Sequence, residues 1–219
     1  MVALRPPIIC LVTDRRQLPD PTEDNLVRLT TQAAAAGVTM IQIRERDLDD
    51  RALFSLTTRI VAAVRDVDTA VLVNDRADIA VAARASGVHL RSDSVPTDRV
   101  RAIAPGGFLI GRSIHSVAEA PAEGVDYLVM GTVFPTSSKP AGTAIAGTEA
   151  VRAVCRRSTA PVLAIGGISA DNTAKIAQSG AAGIAAITLF TSLFKDRTDH
   201  ELRAVLEQVV AKVRAAWIT

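Results

Sequence analysis

Apolar positions along the chain switch between two periods. Short β-branched runs at 8–13, 39–44, 70–74, 88–90, 108–112, 127–131, 161–165 and 183–188 read as strands. Ala-rich stretches near 23–36, 49–66, 76–85, 97–103, 116–123, 147–157 and 171–178 carry apolar residues at helical spacing. A last helix over about 199–217 puts Leu202, Val205, Leu206, Val209, Val210 and Val213 on one stripe. Asp171 before Asn172-Thr173, and Thr148 before Glu149, predict capped helix starts. Gly37, Gly87, Gly124 and Gly180 stand where helices give way to strands, as C-terminal caps do.

Strand and helix therefore alternate through eight units, with short links and no Ser/Gly-rich linker, which predicts one domain over residues 1–219. Continuous apolar strands with helices between them predict a parallel sheet covered on its outer side. Eight such units predict an α/β fold of the closed (β/α)8 TIM-barrel type. An open dinucleotide-binding sheet is the weaker alternative, because Gly106-Gly107 and Gly166-Gly167 lack the third glycine of that fingerprint.

Composition narrows the function classes. Apolar residues make up 48% and charged residues 22%, as in an ordinary globular protein. A net charge of +2 and 3% aromatics argue against nucleic-acid or membrane-surface partners. No apolar run approaches the ~20 residues that span a bilayer, and no signal segment is evident, so a cytoplasmic protein without an anchor is expected. Cys10 and Cys155 lie in apolar stretches without metal-ligand spacing and are expected as buried thiols.

In a barrel of this kind chemistry collects at the C-terminal ends of the strands. Those positions hold Asp14, Arg44 and Arg46, Asn74 and Asp75, Asp93, Ser113 and His115, Thr136 with Lys139, Gly166-Gly167, and Thr188. In the second strand Gln42, Arg44 and Arg46 share one face and Ile41 and Ile43 the other. Two guanidiniums on one face call for anions, either a carboxylate or phosphate ligand or nearby Asp47 and Asp49 as salt-bridge partners. With Lys139 they outline one anion subsite. A second is expected after strands seven and eight, where Gly166-Gly167 and Ile187-Thr188 offer backbone N–H groups to a phosphate. The long stretch 135–146, polar and without a period, reads as a loop over the barrel mouth.

Nucleophilic catalysis has little support, since there is no Gly-x-Ser-x-Gly elbow and neither cysteine sits at a rim. His89, His115 and His200 show no ligand spacing. His89 reads as a plain strand residue and His200 as a surface helix residue. His115, at the rim, is the candidate proton carrier, with a bond to nearby backbone as the alternative.

A set of ordered motifs goes further. They are Leu11-Val12-Thr13-Asp14, Gln42-Ile43-Arg44-Glu45-Arg46, Val73-Asn74-Asp75-Arg76, Gly87-Val88-His89-Leu90, Gly131-Thr132-Val133-Phe134-Pro135-Thr136-Ser137-Ser138-Lys139 and Ala164-Ile165-Gly166-Gly167-Ile168. Over about residues 8–192 the chain resembles the thiamine phosphate synthase superfamily, which includes TenI-like thiazole tautomerases; the helix near 199–217 lies beyond the resemblance. For a synthase the resemblance implies that Gln42, Arg44, Arg46, Asn74 and Lys139 hold a hydroxymethylpyrimidine diphosphate. Thr136, Ser138, Gly167, Ile187 and Thr188 would hold a thiazole phosphate, and Asp75 would bind Mg2+.

The departures lie in the pyrimidine and metal half. The synthase pattern has lysine at position 46 and a Gly-Gln-x-Asp run where this chain has Arg91-Ser92-Asp93-Ser94. The carboxylate is thus displaced by one residue, which reverses side-chain direction in an extended chain. Arg112 stands where many synthases have a small apolar residue, and strict alternation points it outward if Ser113 and His115 face inward. Gly-Arg-Ser-x-His-Ser and Ile-Arg-Glu-Arg look closer to the tautomerase branch. The main expectation is accordingly a tautomerase that aromatises a carboxythiazole phosphate, with His115 and Ser113 catalytic and no cofactor. The alternative is a synthase releasing pyrophosphate with Mg2+ on Asp75 and Asp93. A lesser alternative is a noncatalytic thiazole-phosphate binder. In each case the partner is a small phosphorylated molecule, and a homo-oligomer stays open.

Overall fold

The eight apolar runs pair in chain order, each parallel to the next, and the last returns to the first to close a barrel. The strands are β1 (Ile8–Val12), β2 (Met40–Ile43), β3 (Ala70–Asn74), β4 (Gly87–Leu90), β5 (Leu109–Ile114), β6 (Tyr127–Gly131), β7 (Val162–Ile165) and β8 (Gly183–Ala186). The computed structural model describes residues 4–120, 123–136, 142 and 144–218. The expected (β/α)8 TIM barrel is the observed fold.

Alternation along the strands sorts side chains into two cores. Ile8, Cys10 and Val12 of β1 pack inside the barrel with Met40, Leu72, Leu109, Tyr127, Val129 and Leu163. Ile9, Leu11, Ile41, Ile43, Val71 and Val73 face the surrounding helices. Period two therefore puts Gln42 and Arg44 on the interior side of β2, opposite Ile41 and Ile43. Cys10 is buried inside the barrel, and burial pushes its thiol up to about 12; the half-buried Cys155 is also raised by burial.

The outer layer consists of α1 (Glu23–Ala35), α2 (Asp50–Ala63), α3 (Ala77–Ala82), α4 (Thr97–Arg101), α5 (Gly147–Arg157), α6 (Thr173–Gln178), α7 (Thr188–Thr191) and α8 (Asp199–Ala215). No helix among the described residues is long and apolar enough to cross a membrane. Side-chain caps form at Thr22 for α1, Asp49 for α2 and Thr198 for α8, the last in a capping box with Glu201.

Several local expectations are corrected. The caps expected near Thr148 and Asp171 do not form, since Ala146 and Asn172 precede α5 and α6 without a side-chain cap bond. Asp171 pairs instead with Lys212 of α8. Of the helix expected over 116–123, residues 121 and 122 lie outside the described residues, and among the rest only a 3-10 turn forms, Val117–Glu119, closed by Ser116 Oγ donating to Glu119 at 2.7 Å. Gly87 is not a cap but the first residue of β4, where a Cβ would lie 2.2 Å from the Leu109 carbonyl oxygen; Arg84, at φ 55, makes the left-handed turn after α3. The four-residue α7 was not legible in the periodicity, being too short to show one.

Candidate active site

A cavity of about 540 Å³ opens at the C-terminal mouth, lined by residues from all eight strands or the loops that follow them. Its size suits a small-molecule ligand. Gln42, Arg44, Arg46, Asn74, Asp93, Ser113, His115, Thr136, Gly166, Gly167, Ile187 and Thr188 all line it. Asp75 does not; it lines a smaller adjoining cavity that shares Arg46, Asn74 and Arg91 with the first. Ser138 and Lys139 lie outside the described residues.

On the β2 side the backbone is locked first. Thr13 N–H donates to the Gln42 carbonyl and Thr13 Oγ1 accepts the Arg44 N–H, each at 2.9 Å. Gln42 Nε2 donates to Asn74 Oδ1 at 3.1 Å. Arg44 is half-buried, and burial, then the neighbouring Arg46 charge, lowers its pKa from the ordinary arginine value. The salt-bridge alternative fails among the described residues: Asp47 takes both ends of the Arg15 fork at 2.8 Å, and Asp49 caps α2. Arg44 and Arg46 thus face the cavity without a carboxylate partner among the described residues. Glu45, which sequence reasoning missed, is buried and accepts the Arg15 N–H at 3.2 Å and Arg15 Nη1 at 2.9 Å, tying the loops after β1 and β2 together. Its signal was an acid on the otherwise apolar Ile41-Ile43 parity.

On the β7–β8 side Gly166 and Gly167 adopt φ of 101 and 64. A Cβ on Gly166 would lie 2.6 Å from Thr132 Cγ2, and one on Gly167 2.4 Å from the Pro135 carbonyl oxygen. Only glycine meets both demands. Asn172, another residue sequence reasoning missed, clamps the turn: its Nδ2 donates to the Gly167 carbonyl at 2.8 Å and its Oδ1 accepts the Ser169 N–H at 3.0 Å. Thr188 Oγ1 donates to Gln17 Oε1 and Gln17 Nε2 to Asp14 Oδ2, both at 3.1 Å, linking this rim to β1.

The floor corrects the reading of His89 as a plain strand residue. Val88 and Leu90 face the helices, so His89 faces in, where it is 2% exposed. Its Nδ1 lies 2.9 Å from Tyr127 Oη and its Nε2 2.8 Å from Ser113 Oγ. With the phenol donating to Nδ1, Nε2–H donates to Ser113 and leaves the serine hydroxyl proton for the cavity. Burial, with a smaller contribution from Arg112, lowers the His89 pKa from 6.5 to about 3. The unfolded chain accepts a proton below pH 6.5 that the native chain refuses until about pH 3. This stabilisation is complete above pH 6.5 and is lost as pH falls toward 3. By pH 5 the loss amounts to about 2 kcal/mol. Urea unfolding at pH 8 and pH 5 should show that loss in the natural chain and a correspondingly smaller one in His89→Gln. Equal losses in both chains would contradict a neutral buried imidazole.

His115 follows β5 at the rim and Nδ1–H donates to the Gly131 carbonyl at 2.9 Å, leaving Nε2 as its free nitrogen. It lines the cavity, and the backbone bond that the sequence offered as the alternative reading is present. Arg112 points away from the cavity as alternation requires and donates to the carbonyls of Arg91, Ser92 and Val95 at 3.2, 3.3 and 2.6 Å.

The expected metal pair is arranged otherwise. Arg91 Nε lies 2.9 Å from Asp75 Oδ2 and 3.4 Å from Asp93 Oδ1. Asp75 Oδ1 accepts the Ser94 hydroxyl, and Ser94 Oγ accepts the Arg91 N–H at 2.8 Å. Asp75 itself sits at φ 61, a left-handed turn that aspartate tolerates better than most residues. Among the described residues no group of three or more His, Cys, Asp or Glu is placed to hold a metal. A divalent ion between Asp75 and Asp93 would have to displace a guanidinium, so this pair does not fit a chelating site.

Residues 9–190 match the family model described as thiamine monophosphate synthase. The chain belongs to this family. Within it, the chain is 40% identical over 181 residues to the thiamine-phosphate synthase of Methanoculleus marisnigri, covering 81% of this chain and 84% of that one. It is 36% identical over 212 residues to the thiamine-phosphate synthase of Chlorobium luteolum, covering 95% of each. The solved thiamine phosphate pyrophosphorylase of Pyrococcus furiosus superposes with a TM-score of 0.81 at 30% identity, covering 98% of this chain and 99% of that one. For a member of the thiamine monophosphate synthase family, these similarities favour the synthase alternative. They lend nothing to the tautomerase, which was the main expectation.

Proposed function

We propose that this chain is a thiamine phosphate synthase, joining a hydroxymethylpyrimidine diphosphate to a thiazole phosphate and releasing pyrophosphate. The observation that carries the reading is the imbalance of charge around one cavity. Arg44 and Arg46, neither with a carboxylate partner among the described residues, line its β2 side, and Arg91, paired with Asp75, stands beside them. That is more cation than a single carboxylate calls for, and it suits a diphosphate. The glycine turn with Ile187 and Thr188 then receives the second substrate's phosphate.

In this reading Gln42, Arg44, Arg46 and Asn74 hold the diphosphate, while Thr136, Gly166, Gly167, Ile187 and Thr188 hold the thiazole phosphate. Ser138 and Lys139 keep the roles that the resemblance implies for them. As the carbon–oxygen bond to the diphosphate breaks, negative charge grows on the leaving group beside preorganised guanidiniums, which lowers the barrier. Ser113, fixed by His89, presents a hydroxyl to the substrate. Val129, Ile165, Ile168 and Ala186 line the same cavity with apolar surface, limiting water near the reacting carbon. Mg2+ would supply charge neutralisation for a leaving pyrophosphate. Asp75 and Asp93 do not fit its chelation, and no step is assigned to it.

Incubating the protein with both substrates in the presence of Mg2+ should yield pyrophosphate and thiamine phosphate in equal amounts. Aromatisation of a carboxythiazole phosphate with no pyrophosphate from the substrate pair would overturn the proposal.

A further inference from the structure

We infer that Arg91 supplies, as part of the protein, the positive charge that a metal held by two carboxylates would otherwise bring, so that pyrophosphate is bound here without a protein-chelated divalent ion. The inference rests on the synthase reading and specifies how its leaving group is held.

Three independent features converge on Arg91. First, its Nε stands between two carboxylates, at 2.9 Å from Asp75 and 3.4 Å from Asp93. A divalent ion against two carboxylates sums to zero charge, and so does one guanidinium against Asp75. Asp93, with a side chain 71% exposed, is screened by water. Second, the loop is built for this arrangement. Ser94 stands where the resemblance expects a carboxylate, and its hydroxyl bonds Asp75 instead. Ser94 N–H also donates back to the Arg91 carbonyl at 3.3 Å, closing a tight turn. Arg112, another departure from the synthase pattern, pins the carbonyls of Arg91, Ser92 and Val95. The departures at 91–94 and at Arg112 thus belong to one device. Third, Arg91 lines both adjoining cavities with Arg46 and Asn74, and its two terminal nitrogens make no hydrogen bond among the described residues. Nε is held by acids while the outer edge of the fork is left for an anion. Mg2+ demands near-octahedral oxygen coordination. Asp75, with one oxygen on Ser94 and the other on Arg91, offers a poor start toward it.

Calorimetric titration with inorganic pyrophosphate, in excess EDTA and again with Mg2+, tests this on the natural chain and on Arg91→Ala. In the natural chain affinity should change by less than about threefold between the two conditions, whereas Arg91→Ala should lose roughly tenfold or more in EDTA. Arg91→Lys, which keeps a point charge, should recover part of that loss, and thermal melts establish that both variants are folded. Loss of pyrophosphate binding by the natural chain in EDTA would overturn the inference, as would an Arg91→Ala chain that binds equally well. The condensation assay separates the two proposals. Product formed with Mg2+ but abolished by EDTA would overturn the role of Arg91 and leave the synthase reading standing. Product in neither condition would overturn the synthase reading, while the binding titration still decides the role of Arg91.

Discussion

Arg44→Met should lower kcat/KM for the condensation by about a hundredfold to a thousandfold while leaving Tm unchanged or raising it. The first half follows from where the guanidinium stands. It is half-buried at the end of β2, its backbone is fixed through Thr13, and it lines the cavity beside Arg46. Removing one partner of a partly desolvated ion pair with a phosphate costs about 2–5 kcal/mol. The second half follows from what Arg44 lacks. It has no carboxylate partner among the described residues, and burial and Arg46 together disfavour its charge. Methionine keeps an apolar stem for packing and removes the uncompensated charge. Steady-state kinetics and a thermal melt on the same preparation decide the matter. A matched fall in Tm and activity would reduce Arg44 to a structural residue.

Gly183→Ala should be the most damaging small substitution for folding. Gly183 opens β8 in register with Ile8, at the pair that closes the barrel. A Cβ there would lie 1.9 Å from the Ile8 carbonyl oxygen and 2.7 Å from its C and N atoms. These are backbone atoms of a fully buried strand, so relief requires parting the two strands rather than rotating a side chain. We expect a loss of roughly 3–5 kcal/mol, or about 6–20 °C in Tm for a chain of this size. Gly106→Ala is the control, because nothing lies within 4 Å of its added Cβ. It should fall within about 0.5 kcal/mol of the natural chain. Chemical denaturation of the pair measures the difference, and similar stabilities would mean that the β1–β8 contact relaxes freely.

The fold was largely legible because it is written in local periods. β3, β6 and α5 run over the residues that alternation and helical spacing predicted, 70–74, 127–131 and 147–157. The failures were also local in origin. Over 116–120 the helical spacing was outweighed by a Ser116–Glu119 hydrogen bond that closes a tighter turn. The site was legible wherever a residue's chemistry is set by its own strand end. Gln42, Arg44 and Arg46, the paired glycines and Thr188 fall on one mouth because parallel strands all end on the same side.

What the chain alone determined is therefore the barrel, its inward and outward faces, and the cationic and glycine-rich positions at its mouth, since period two and period 3.6 act between near neighbours. Only the tertiary structure decided the partners. Glu45 holds Arg15 from 30 residues away, His89 joins Ser113 and Tyr127 across 24 and 38 residues, and Ser94 reaches Asp75 across 19. The most consequential case is Arg91. As a residue it read as a departure from a motif. Closure of the barrel brings β3 and β4 side by side and sets its guanidinium between Asp75 and Asp93. Electrostatic partnership depends on distance through space, which the order of residues along a chain does not fix until the strands have paired.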